Sequence, residues 1–124
     1  MRAFVLSALL ALPAIGPAQE PAAPLTVEVQ LSSFAFAPDT IRLRAGQPIV
    51  LHLVNSGSGG HDFAAPEFFA AATGLSGAVT NGKVEVPGRQ SIDIRLTPAA
   101  GTYRLKCTHT LHSSFGMRGE IVVE

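Results

Sequence analysis

The sequence has only one cysteine, Cys107, among its 124 residues. One thiol cannot form a disulfide within the chain. Cys107 is therefore an inert buried side chain, an intermolecular bridge, or a metal ligand or nucleophile. In an exported protein a free thiol without a purpose invites oxidation. The cysteine count excludes an internal disulfide framework and makes the residues around Cys107 the first place to search for function.

The chain also lacks net charge and a long apolar run. Nine Lys and Arg residues balance nine Asp and Glu residues, so no basic stripe is available to neutralise phosphates, and nucleic acid is not expected as a partner. The apolar run from Ala3 to Ala14 is broken by Pro13 and is too short to span a bilayer. An integral membrane protein is therefore not expected.

The same run has the features of a secretory signal. Arg2 precedes it, and the small-residue exit Gly16-Pro17-Ala18 follows it. We predict cleavage near Ala18 and a periplasmic or otherwise exported protein. Residues 1–18 would be the signal peptide, 19–24 a short tether, and 25–124 a single domain with one core.

From Leu25 onward, short runs rich in Val, Ile, Thr and Leu alternate with Gly, Pro, Asn and Asp. Recurrent short strands with turn signals between them predict an all-β fold, an antiparallel Greek-key β-sandwich of about seven to eight strands. One short helix is expected near 66–73, because Glu67 and several alanines precede Gly74. The predicted strands are 26–31, 41–44, 49–54, 83–86, 91–96, 102–106 and 120–123.

Two upstream histidines differ in their settings. His52 is in phase with Val50 and Val54 within a strand and out of phase with Leu51 and Leu53, which predicts a solvent-facing or hydrogen-bonded side chain. His61 follows the Gly-rich segment 55–60 and precedes an apolar segment. It can therefore point inward from the end of a loop.

The segment 107–117 concentrates the side chains that bind soft and borderline metals. Cys107, His112 and Met117 stand five residues apart each time. A thiolate and two imidazoles in a plane, with a weak axial thioether, suit both oxidation states of copper. One loop between two strands can present three of these donors to one point. The fourth must come from elsewhere, and His61 is the natural candidate in a sandwich whose loops gather at one pole.

At this point the chain resembles the cupredoxins, the family of blue copper proteins. The resemblance covers nearly the whole chain after the signal, and the Cys-x4-His-x4-Met spacing is like that of the auracyanin and rusticyanin branch. It rests on Phe34 to Pro38 with Ile41, Gly46, Ile49 and Asn55, on Gly60 to Phe63, on Tyr103 to Cys107, and on Gly116 to Val123.

The resemblance implies a mononuclear type 1 copper site. Cys107 would be the thiolate that couples most strongly to copper, His61 and His112 the equatorial imidazoles, and Met117 the long axial ligand. The family often has Asn after the upstream histidine, where this chain has Asp62. A carboxylate there would still tie the two ligand loops together by accepting backbone N–H bonds.

His109 is a competing candidate, because it lies two residues after the thiol. It could replace His112 as a ligand, bind a second metal, or face solvent at the rim of the copper site. The family spacing favours His112, so we expect His109 at the rim.

Four protein ligands would leave copper no open position for a substrate, which favours a one-electron carrier over an enzyme. The alternative is a periplasmic copper-binding protein for tolerance or delivery that uses the same site. An enzyme with Cys107 as nucleophile is not expected, because no helix N-terminus or oxyanion loop is predicted near it.

The resemblance also implies how a partner would dock. The edge of His112 would pass the electron through an apolar patch, for which Phe68, Phe69, Leu111 and Phe115 are candidates, although Phe69 and Leu111 could equally belong to the core. By analogy the partner of the predicted monomer would be a redox protein such as a c-type cytochrome, a copper oxidase or a reductase.

Overall fold

The computed structural model describes residues 3–5, 7–13, 23–109 and 116–124. Within these residues the chain forms ten strands and one short helix. They are β1 (Leu25–Ser32), β2 (Ala35–Ala37), β3 (Thr40–Leu43), β4 (Ile49–Asn55), β5 (His61–Ala64), α1 (Pro66–Ala71), β6 (Thr73–Ser76), β7 (Lys83–Val86), β8 (Gln90–Thr97), β9 (Gly101–Lys106) and β10 (Arg118–Val123). Among the described residues, no helix has the length and apolar character needed to cross a membrane.

The strands form two five-stranded sheets. The first has the order β2-β1-β4-β8-β6 and the second the order β3-β10-β9-β5-β7. Most neighbours are antiparallel as expected, but β1 pairs with β4 and β3 with β10 in parallel. The predicted all-β sandwich is confirmed, but it has ten strands in the described residues rather than seven to eight. Two neighbouring pairs are parallel rather than antiparallel, because long connections return two strands in the same direction as their neighbours.

The core lies between the sheets and follows from alternation within the strands. In β4, Ile49, Leu51, Leu53 and Asn55 are buried while the residues between them are partly exposed. Burying a large aliphatic or aromatic side chain stabilises a fold by about 1.5–3 kcal/mol. The fully buried Phe63 packs edge-on against Phe36 with ring centroids 5.9 Å apart, joining the two sheets.

His52 confirms the alternation argument. It lies directly across from Asp93 of β8, and the two side chains form a hydrogen bond on the outer face of the first sheet. Both are partly exposed. His52 is therefore a hydrogen-bonded strand histidine, as its phase predicted.

The helix is confirmed but is shorter than expected. It begins at Pro66, has Glu67 in its first turn and ends at Ala71, after which Ala72 is extended. Thr73 already belongs to β6, an edge strand in which every residue is exposed. The helix buries Phe68 and Phe69, and Phe68 contacts the ring of Tyr103 in β9 with centroids 5.5 Å apart.

Candidate metal centre

Cys107 and Met117 lie beside each other at the base of one loop. Lys106 and Arg118 form the last register pair of β9 and β10, and the Cys107 N–H donates to the Met117 carbonyl at 3.1 Å. Both side chains are fully buried. The antiparallel pair therefore brings a thiol and a thioether together at one end of the second sheet. His112, Leu111 and Phe115, which the loop was predicted to contribute, lie outside the described residues.

His61 reaches the same end of the sheet from β5, the strand next to β9. It is the first residue of β5 and is buried, with 6% of its surface exposed. The preceding turn is shaped by Asn55, whose side-chain amide donates to the Gly59 and Val86 carbonyls at 2.8 and 3.0 Å. Its Oδ1 accepts the Gly57 N–H at 3.1 Å. Asn55 thus fixes the path of the chain that delivers His61.

Asp62 connects the His61 strand to the Cys107 loop. Its backbone N–H donates to Cys107 Sγ at 3.4 Å, and its Oδ1 accepts the Thr108 N–H at 2.7 Å. The Thr108 hydroxyl donates to Asp62 Oδ2, and Lys83 Nζ lies 3.9 Å from the same oxygen. The prediction that Asp62 ties the two loops together by accepting a backbone bond is confirmed.

Burial controls the acidity of the thiol. Loss of hydration raises the pKa of Cys107 above its ordinary value of 9.0, and the hydrogen bond from the Asp62 N–H lowers the pKa in part. A thiol in this setting stays protonated at neutral pH unless a cation stabilises the thiolate. The pocket therefore disfavours a free nucleophilic thiolate but suits a metal-bound one.

His109 lies at the edge of the centre and is partly exposed. Its Nε2 is 2.9 Å from Glu85 Oε2, and its ring centroid is 6.5 Å from that of His61. Donor atoms of Asp62, Glu85 and His109 lie within 4.8 Å of one another. The alternative of a second metal thus has a geometric basis, although the Lys83 ammonium beside Asp62 would repel a cation there.

One expectation about the surface was wrong. Phe68 was a candidate for an apolar docking patch, but it is 1% exposed and belongs to the core. Phe69, for which a core position was the stated alternative, is 4% exposed and also belongs to the core. Phe34, which was not considered for the patch, is 43% exposed. It lines a crevice of about 400 Å³ together with the Gly-rich turn, His61 and His109.

Sequence reasoning passed over the structural roles of Asn55, Thr108 and Glu85. Asn55 did carry a signal, because it is a polar residue in phase with the buried Ile49, Leu51 and Leu53. A buried polar side chain in such a position must find hydrogen-bond partners. Thr108 and Glu85 carried no such signal in the sequence, because their contacts depend on how β5, β7 and β9 are placed.

The described donors form one chemical set. A buried thiol, a buried thioether and a buried imidazole lie at the same end of β10, β9 and β5, which are neighbours in that order. Soft sulfur donors with imidazole favour copper over hard, oxygen-seeking cations such as Mg²⁺ or Ca²⁺.

Solved structures that share this architecture include two auracyanins and a multicopper oxidase. Auracyanin B matches with a TM-score of 0.63 and 25% identity, over 86% of this chain and 91% of that chain. Auracyanin A, a "blue" copper protein from the green thermophilic photosynthetic bacterium Chloroflexus aurantiacus, matches with a TM-score of 0.61 and 20% identity, over 82% of this chain and 100% of that chain.

A larger enzyme also shares the architecture. The McoA multicopper oxidase from the hyperthermophile Aquifex aeolicus matches with a TM-score of 0.65 and 12% identity, over 86% of this chain but only 30% of that chain. At this identity the likeness shows a shared fold alone. No curated protein matches the chain. The sequence profile of the cupredoxin-like domain matches residues 3–123, and the chain therefore belongs to the cupredoxin-like domain family.

Proposed function

We propose that this protein is a one-electron carrier that holds a single copper ion with His61, Cys107, His112 and Met117. The observation that carries the proposal is that a buried thiol, thioether and imidazole lie at the same end of three adjacent strands. The blue copper chemistry named for auracyanin A supports it. His112 is assigned from its spacing to Cys107 and Met117.

The copper ligands and the residues around them would have separate roles. Copper, when bound, would supply the reversible change of oxidation state. Cys107, His61, His112 and Met117 would hold it, and the weakly binding thioether of Met117 would favour the reduced ion. The Asp62 N–H would stabilise charge on Cys107 Sγ. The surrounding apolar core would keep water away from the sulfur atoms.

A carrier is favoured over an enzyme because four protein ligands leave no position for substrate. We also propose that the protein is exported, with removal of residues 1–18. Phe4, Leu9, Leu10 and Leu12 are each about nine-tenths exposed. Such an unburied apolar segment is expected of a signal peptide and is unsuited to the surface of a mature domain.

The visible spectrum tests the copper site. Adding Cu(II) to the purified protein should give an intense thiolate-to-copper band that bleaches reversibly on reduction, and Cys107→Ser should abolish the band. His112→Ala and His109→Ala form a matched pair, since both remove an imidazole from the same loop. We expect the band to change only in His112→Ala. A wild-type protein without a band would overturn the type 1 assignment.

Electron transfer is the second measurement. The reduced, copper-loaded protein should be oxidised by a c-type cytochrome and recover the band as it does so. A protein that binds copper with the expected spectrum but exchanges electrons too slowly for turnover would instead fit the alternative role in copper tolerance or delivery.

A further inference from the structure

We propose that a basic groove on the outer face of the second sheet docks an acidic surface of a partner protein. Arg104, Lys106 and Arg118 supply its charge, and Ala64, Pro66 and Glu67 complete most of its lining. The groove has a volume of about 440 Å³. That this partner is a redox protein rests on the proposed function, but the docking itself does not.

The strand register places the cations side by side. Arg118 of β10 lies directly across from Lys106 of β9, Lys106 across from Ala64 of β5, and Ala64 across from Lys83 of β7. Three cationic residues therefore share one row across four strands. Arg104 lies two residues before Lys106 and thus on the same face. Arg104, Lys106 and Arg118 are all exposed.

This arrangement concentrates positive charge in a protein whose net charge is zero. Three cations and one acid, Glu67, line the groove, whereas the whole chain has equal numbers of each sign. Glu120 lies directly across from Arg104 on the same face and opposes its charge, so the excess of positive charge centres on Lys106 and Arg118. Like charges directly opposite each other on neighbouring strands destabilise a sheet. The Lys106 and Arg118 pair therefore concentrates positive charge at one point of the groove, where a negatively charged partner would reduce the repulsion between the two side chains.

The groove also adjoins the candidate metal centre. Lys106 immediately precedes Cys107, and Arg118 immediately follows Met117. A partner bound to these two side chains would sit one residue along the backbone from both sulfur donors. A redox partner docked there would have a short path to the site.

The occupant that fits best is a cluster of carboxylates on a protein. Three cations are too few to follow a nucleic-acid backbone, and the neutral chain has no wider basic stripe. Complementary charge mainly speeds association and sets orientation, and it weakens as salt is added. Such an interaction suits a partner that binds and leaves quickly.

The test is an NMR titration of the ¹⁵N-labelled protein with a decamer of glutamate. We expect shifts centred on the amides of residues 104–106 and 118–119, and their loss in about 1 M salt, where charges are screened within ~3 Å. A glutamine decamer should give no shifts. The double variant Lys106→Glu/Arg118→Glu should bind the glutamate decamer at least about tenfold more weakly.

The control is Arg44→Glu/Arg95→Glu, which changes the net charge equally. Arg44 follows β3 at the end of the sheet away from Met117, and Arg95 lies on the other sheet. The affinity of this control variant for the glutamate decamer should stay within about twofold of the wild-type affinity. If Lys106→Glu/Arg118→Glu folds poorly, Lys106→Gln/Arg118→Gln replaces it, with the same direction of change.

Equal losses in the two double variants, or no binding by the wild type, would overturn the proposal. So would binding to phosphatidylserine vesicles in the absence of peptide binding, since the occupant would then be a membrane. The titration needs neither copper nor electron transfer. The result of the titration can therefore be interpreted even if the copper assignment fails.

Discussion

At the scale of single residues, Asp62 is the side chain that holds the candidate centre together. It is fully buried, and its carboxylate accepts bonds from both the backbone and the hydroxyl of Thr108. Its own N–H reaches Cys107 Sγ. Because the bond from the Thr108 N–H is partly buried, water replaces a lost acceptor only in part, and the carboxylate matters more than a surface acid would.

Substitution of Asp62 should therefore depend on whether an acceptor remains. Asp62→Ala leaves the Thr108 N–H without its partner and should lower the free energy of unfolding by about 1–3 kcal/mol in urea denaturation of the metal-free protein. Asp62→Asn keeps an acceptor oxygen and should cost clearly less.

The matched control for Asp62→Ala is Asp93→Ala. Asp93 also contacts a neighbouring side chain, His52, but its own side chain is 59% exposed. Exposed pairs contribute about 0–1 kcal/mol, so we expect a small loss there. Similar losses for Asp62→Ala and Asp62→Asn would contradict the role assigned to the carboxylate.

At the scale of elements, α1 is fixed by the turn before β7. The Ala65 N–H donates to the Gly82 carbonyl at 3.0 Å. Gly82 has a φ of +72°, and a Cβ there would lie 2.5 Å from Pro66 Cβ. The position needs glycine both for its backbone conformation and for the close approach of the helix.

Comparing Gly82→Ala with Gly46→Ala separates these two needs. Gly46 has a similar φ of +78°, but a Cβ there meets nothing within 4 Å. Gly46→Ala should cost about 1–2 kcal/mol for the left-handed backbone alone. Gly82→Ala should lower the free energy of unfolding by a further ~1–3 kcal/mol, because the added Cβ overpacks against Pro66. Equal urea midpoints for Gly82→Ala and Gly46→Ala would show that α1 moves away from the added Cβ at no cost in stability.

The strands that sequence patterns revealed are those with one face buried. β4 and β8 alternate clearly, and both were predicted to within about two residues. The missed strands lack that signal: β2 has three residues, β6 is exposed throughout, and β5 is buried throughout. In β5 the outward residue Asp62 is covered by Thr108 and Lys83, so no alternation remained to be seen.

The candidate site was accessible from sequence for a different reason. Cys107 and Met117 come from one loop, and their spacing alone suggested convergence. His61 was inferred from its loop and from the resemblance. The contacts that position these residues, from Asn55 and Thr108, depend on tertiary placement and could not be derived from spacing.

At the scale of the whole molecule, the candidate donors are assembled by the fold. His61 lies 46 positions before Cys107 in the sequence, and both lie at the same end of the second sheet because β5 pairs with β9. The parallel pairing of β3 with β10 fixes the far side of that sheet. The unfolded chain has no preformed site, so metal binding should be linked to folding.

Copper should therefore stabilise the folded protein in proportion to its differential affinity for the folded and unfolded states. At a free copper concentration about a thousand times the dissociation constant, stabilisation approaches ~4 kcal/mol, less whatever affinity the unfolded chain retains through its Cys and His residues. The midpoint temperature of thermal unfolding should rise with added copper in the wild type, and Cys107→Ser should lose most of that rise. His52→Ala removes an imidazole on the opposite sheet and should leave the shift intact. An upward shift that survives Cys107→Ser would place the bound metal somewhere other than the end of β5, β9 and β10.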